Sequence, residues 1–198
     1  MKKVLALVLA ALLAVSLFAC GGSTENTKTT AAPENKGTSF SADDIYFEAN
    51  GQKVTVNVKQ SEFIAAMAKA GFTEFETEQA ASCMFSGNGF DVTTNFGDDF
   101  TAFSFPPEAC EPDNNTVDEI FVATDKVTFK GGLKVGATKE EVIAAFGEGY
   151  FMNGDDCMTY NQSGDAEKVN SEPKIAFYFE EGKVAGIDLV ANLYHVIG

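Results

Sequence analysis

The chain has no tryptophan and no arginine, a single histidine at His195, and only five prolines in 198 residues. Without a guanidinium fork, and with 14 lysines facing 29 acidic residues, it lacks the electrostatic footprint of a nucleic-acid binder. One imidazole near the C-terminus offers no base for a cysteine nucleophile and no His/Cys cluster for zinc. Gly-x-Ser-x-Gly, a Walker-type loop and a dinucleotide fingerprint are all missing. No catalytic residue and no cofactor is therefore assigned, and a non-enzymatic protein is expected. Neighbouring carboxylates for acid–base hydrolysis must occur among so many acids, but no pair stands out. The longest apolar run, Val4 to Phe18, is about 15 residues, short of the roughly 20 needed to cross a bilayer.

That run follows Met1-Lys2-Lys3, so it reads as the apolar stretch of a signal peptide over residues 1–19. It ends in Leu17-Phe18-Ala19-Cys20-Gly21, which resembles the lipobox of bacterial lipoproteins. The resemblance implies cleavage before Cys20 and acylation of its thiol. Two or three acyl chains would hold the mature protein on a membrane without crossing it. Removing Lys2 and Lys3 leaves 12 lysines against 29 acids, a net charge of −17, which favours solubility and is repelled by anionic headgroups. The expected location is the extracytoplasmic side of the cell membrane.

Residues 20–39 are rich in Gly, Ser, Thr, Asn and Lys with no apolar period, and read as a tether. Beyond it, 18 phenylalanines supply the material of a core. Ile45–Ala49 and Lys53–Val58 alternate around Asn50-Gly51, a strong hairpin signal. Ser61 offers an N-cap for a helix over Glu62–Ala70, with Gly71 as its stop. Short strands are expected at Cys83–Ser86, Phe90–Phe96, Phe100–Phe105 and Val117–Ala123. The order then repeats: strand Lys126–Lys130, helix Thr138–Phe146, and strands at Cys157–Asn161, Lys174–Phe179 and Lys183–Ala191.

Residue matches suggest a duplication. Cys83-Met84 and Cys157-Met158 lie 74 positions apart, as do Ala102-Phe103-Ser104-Phe105 and Ala176-Phe177-Tyr178-Phe179. Val117, Ile120 and Val122 parallel Val184, Ile187 and Leu189. The expected fold class is α+β: two similar halves, 40–123 and 124–198, each a helix laid on an antiparallel sheet, forming one domain. Phe103, Phe105, Phe177 and Phe179 are expected to meet Phe63, Met67, Val142 and Phe146 beneath the helices.

The clearest local motif is Gly136-Ala137-Thr138-Lys139-Glu140-Glu141-Val142, closing at Phe146-Gly147. Thr138 and Glu141 are spaced as a capping box. Here the sequence resembles the BamE-like (SmpA/OmlA) lipoproteins and, more loosely, the tandem-repeat β-lactamase inhibitory proteins. Gly149 stands where the former often carry proline, and the first helix lacks the Gly-x-Thr opening. The resemblance implies binding of other proteins through the sheet and transfers no binding residue.

After lipidation Cys83, Cys110 and Cys157 remain. A Cys83–Cys110 disulfide is the preferred pairing of three, with all thiols reduced as the alternative. Asp98-Asp99, Asp113-Asn114-Asn115 and Asp155-Asp156 with Asp165 could offer oxygen to Ca²⁺, but none has EF-hand spacing, and acidic turns are usually solvated turns. No metal ligand is assigned. The function expected is that of a membrane-anchored protein-binding or envelope scaffold module with an envelope protein as partner. An inhibitor or sensor of an envelope enzyme, and an unrecognised hydrolase, are the alternatives.

Overall fold

The computed structural model describes residues 40–82, 89–106 and 115–191. A hairpin opens the chain: β1 (Tyr46–Ala49) and β2 (Gln52–Thr55) are joined by Asn50 and Gly51, both with left-handed φ, of 50° and 74°. That turn matches the twist of the strands it joins, and it sets Phe47 opposite Val54, both buried. A two-residue β3 (Val58–Lys59) leads into helix α1 (Gln60–Lys69). The helix buries Phe63 and Met67, four residues apart on one face. It stops at Gly71, where φ is +98°, with Gly71 N–H donating to Ala68 O and Phe72 N–H to Met67 O, a complete Schellman closure. The expected Ser61 cap is not formed. The N-cap is Lys59, and the Gln60 N–H donates to Asn115 O instead, so tertiary contact replaces the local cap.

Strands β4 (Glu76–Ala81), β5 (Phe90–Phe96), β6 (Phe100–Ser104), the short β7 (Thr116–Val117) and β8 (Glu119–Val122) follow. Helix α2 (Lys139–Phe146) begins on the capping box read from the sequence: Glu141 N–H donates to Thr138 Oγ1 at 3.3 Å, and Thr138 N–H donates to Glu141 Oε2 at 2.8 Å. After it come β9 (Phe151–Met152), β10 (Cys157–Asn161), β11 (Lys174–Glu180) and β12 (Lys183–Val190). Lys126–Lys130 is not a strand. It meets the first hairpin through the Glu48–Thr128 bridge and the Phe47–Phe129 ring contact, and runs into a short 3₁₀ turn at Lys130–Gly132.

Eight strands form one antiparallel sheet in the order β4-β5-β6-β8-β12-β11-β10-β9. The expected α+β class, two similar helix-on-antiparallel-sheet halves forming one domain, is overturned. Among the described residues twelve strands outweigh two short α-helices, and the last strands of the two halves, β8 and β12, pair with each other from Ile187↔Val122 to Val190↔Glu119. Pairing two partly apolar strand edges satisfies their backbone groups and leaves the sheet two ends where separate halves would have four.

Alternation places one row of side chains under the helices. Phe96, Phe100, Ala102, Ile120, Val122, Leu189, Ile187, Ile175, Phe177, Met158 and Tyr160 all belong to one buried cluster with Phe63, Met67, Val142 and Phe146. Phe146 packs on Phe177 at 5.2 Å and on Tyr160 at 5.4 Å between ring centroids; Phe63 meets Phe96 edge-on at 5.7 Å. Each such ring contributes about 1.5–3 kcal/mol of burial. Phe177 and the partly buried Phe179 lie with this cluster as expected, the latter after a bulge between Tyr178 and Phe179. Phe103 does not. It lies opposite Glu119, on the other face, while Ala102 turns into the core, and Phe105, though buried, stands outside the cluster. The Ala-Phe match at offset 74 therefore joins residues of opposite facing: Ala102 points to the helices and Ala176 away from them.

Candidate functional site

Neither described helix covers the second face of the sheet. At its centre, where β8, β12 and β11 lie side by side, the register sets Phe121 against Asp188 and Asp188 against Ala176. Glu119 sits one step diagonal from Asp188, near enough for the two carboxyl groups to share a hydrogen bond. Burial, then the neighbouring Glu119 charge, pushes the Asp188 carboxyl well above its usual range, which favours its protonated form as the donor in a hydrogen bond to Glu119. Burial also raises Glu119, with Asp118 adding to the rise. Lys174, opposite Val190 on β11, draws both carboxyls down without an ion pair within 4.0 Å among the described residues.

Beside this pair, the rings of Phe121 and Tyr178 approach to 6.1 Å, and Gly186 lies beneath. A Cβ there would collide with the Phe121 ring, so the close approach of the two rings requires glycine. Burial raises the Tyr178 hydroxyl far out of reach of deprotonation. Opposite Tyr178 stands Cys157, a buried free thiol whose Sγ lies 3.6 Å from Thr159 Oγ1; burial pushes it up, so it is not poised as a nucleophile. The face thus combines half-buried rings with a buried carboxyl pair. It suits contact with another surface better than proton transfer to a substrate, because Asp188 is only 7% exposed.

The sheet has two unlike ends. β9 has two residues, one of them buried. β4 has six, all exposed, so neither face of that strand is covered. It is held by its ladder to β5 and by a chain of polar contacts: Thr77 Oγ1 and Thr94 Oγ1 at 3.2 Å, Gln60 Nε2 donating to Thr94 Oγ1 at 2.9 Å, and Asn115 Nδ2 donating to Gln60 Oε1 at 3.0 Å. Ser82 N–H donates to Gly89 O, which makes that pair a hydrogen-bonded one. By alternation Ala80, Glu78 and Glu76 also face β5 with their backbone groups, whereas Ala81, Gln79 and Thr77 turn theirs outward.

The lipidation residue Cys20, the pair Cys83 and Cys110, the Asp113-Asn114 pair and His195 lie outside the described residues. Of the acidic turns, Asp99 accepts from Lys126 Nζ at 2.6 Å and Asp165 caps its own 3₁₀ turn by accepting from Glu167 N–H. Among the described residues no three His, Cys, Asp or Glu side chains converge to hold a metal, and no helix is long and apolar enough to cross a membrane. The sequence reading missed Glu119 and Asp188. Their signal was a charged residue inside the apolar run Ile187-Asp188-Leu189-Val190, which a central strand does not bury without a partner. No family model, no curated protein and no solved structure matches the chain.

Proposed function

We infer that this chain is a lipoprotein held on the extracytoplasmic side of a membrane by acyl chains on Cys20, and that its folded part binds another protein through the sheet face that neither described helix covers. The observation that carries the binding reading is the seam between β8, β12 and β11. There Phe121 and Tyr178 lie half-buried over Gly186, on a face that neither described helix covers. Aromatic residues on such a face are suited to anchoring a partner. The lipid reading rests on the Leu17-Phe18-Ala19-Cys20 pattern, and the likeness to BamE-like lipoproteins on Gly136, Thr138, Glu141 and Val142.

A photo-crosslinking residue in place of Phe121, introduced in the producing cell, tests the reading, with the same residue in place of the exposed Lys134 as control. Capture of one envelope protein from position 121 alone is expected, and equal capture from both positions or none from 121 contradicts it. A stoichiometric enzyme, inhibited on binding, would select the inhibitor alternative. Mass spectrometry of the mature N-terminus tests the anchor: diacylglyceryl-Cys20 is expected, and an intact Met1 refutes it.

A further inference from the structure

We propose that the outer edge of β4 takes up an extended segment of a basic partner as a ninth, antiparallel strand, reading two Lys or Arg residues placed two positions apart. The inference rests on the protein-binding reading and adds to the sheet face a second contact at the sheet edge. Thr77, Gln79 and Ala81 present outward N–H and C=O groups, a ready template for a further strand. Of the devices that usually close such an edge, proline, lysine, a bulge and extreme shortness are not found on β4, and the charges it does carry, Glu76 and Glu78, repel acidic strands and not basic ones.

Charge decides the occupant. Glu76 and Glu78 share a side of β4, and in an antiparallel addition they fall at non-hydrogen-bonded pairs, where facing side chains are closest. Opposite charge directly across is stabilising there and like charge destabilising. Glu74 adds to the negative edge and no described lysine pairs with any of the three. Phe75, 42% exposed and tilted against the Phe96 ring at 5.4 Å between centroids, offers an apolar contact at one end. A second copy of this chain is the poorer occupant, because it would bring another Glu76 and Glu78 to the same edge and two chains of net charge −15 repel.

The test uses the full acylated chain in neutral detergent and fluorescent peptides of alternating Lys and Val, or alternating Glu and Val, read by anisotropy. The Lys peptide is expected to bind and the Glu peptide not. Glu76→Lys with Glu78→Lys should weaken the Lys peptide by about tenfold and create binding of the Glu peptide. Gln79→Pro should abolish both, since it removes an outward N–H and none used by β5. Asp155→Lys with Asp156→Lys, an equal charge change in an exposed turn, should change nothing. Binding that survives Gln79→Pro, or that falls equally with the Asp155/Asp156 variant, overturns the proposal by showing attraction to net charge alone. Absence of Lys-peptide binding also overturns it, while capture from position 121 in the same preparation would leave the sheet-face reading standing.

Discussion

The two ends of the sheet solve the same problem in different ways. At the β9 end the strand is two residues long, Phe151 is buried, and the adjoining turn closes on itself with Asn153 N–H donating to Cys157 O. Beside it, Phe146, Tyr160 and Phe177 form a mutually packed aromatic group, with Tyr160 Oη donating to Gly147 O. At the β4 end a strand of six exposed residues hangs on its ladder and on hydroxyl and amide contacts. Apolar packing fixes one end and leaves nothing to bind. Polar anchoring fixes the other and leaves a strand edge available.

That contrast can be broken most sharply at Phe177. Phe177→Ala should cost about 3–5 kcal/mol in urea unfolding, whereas Phe103→Ala, on the face that neither described helix covers, should cost about 1 kcal/mol. Equal losses would mean that both faces are core. Gly186→Ala, at the seam where the two halves meet, should cost about 1–3 kcal/mol through its collision with Phe121, and Phe121→Ala in the same chain should recover part of that loss.

The carboxyl pair at the seam predicts a pH dependence. Because Asp188 binds its proton more tightly folded than unfolded, its contribution is complete below the ordinary carboxylate range and is lost as pH rises toward its raised value. Glu119, Lys174, Asp118 and the neutral Tyr178 and Cys157 make up its ionisable surroundings. Asp188→Asn should flatten the fall in melting temperature between pH 4 and pH 8, measured by calorimetry across that range; an unchanged slope would show that Asp188 ionises freely.

Smaller effects compare the helix starts. Thr138→Ala removes a formed capping box and should cost about 1 kcal/mol, while Ser61→Ala, which removes no cap, should fall within about 0.5 kcal/mol of the parent in the same melts.

How much was legible in the sequence follows the same divide. The Asn50-Gly51 hairpin, the Thr138 capping box and the strands expected at Cys157–Asn161 and Lys174–Phe179 were readable because each is set by neighbours in sequence. β4 was not, because Glu-Thr-Glu-Gln-Ala-Ala has no apolar period: its order comes from Phe90 to Asn95 across the ladder and from Gln60 and Thr94 beneath. The facing of Phe103 was misread since Phe-x-Phe gives a period and not a side, and the side was decided by Phe100 and Ala102. Fusion of the halves into one sheet depends on β8 meeting β12, a pairing nearly seventy residues apart along the chain that local pattern does not encode. The carboxyl pair exists only because of that pairing.

Residue-resolved amide hydrogen exchange on the full chain tests the open edge most directly. The amides of Glu78 and Ala80, donated to β5, should exchange slowly, while those of Thr77, Gln79 and Ala81 should exchange at rates close to unprotected backbone. Uniform protection along Glu76–Ala81 would contradict the account, because it would mean that the edge is already paired.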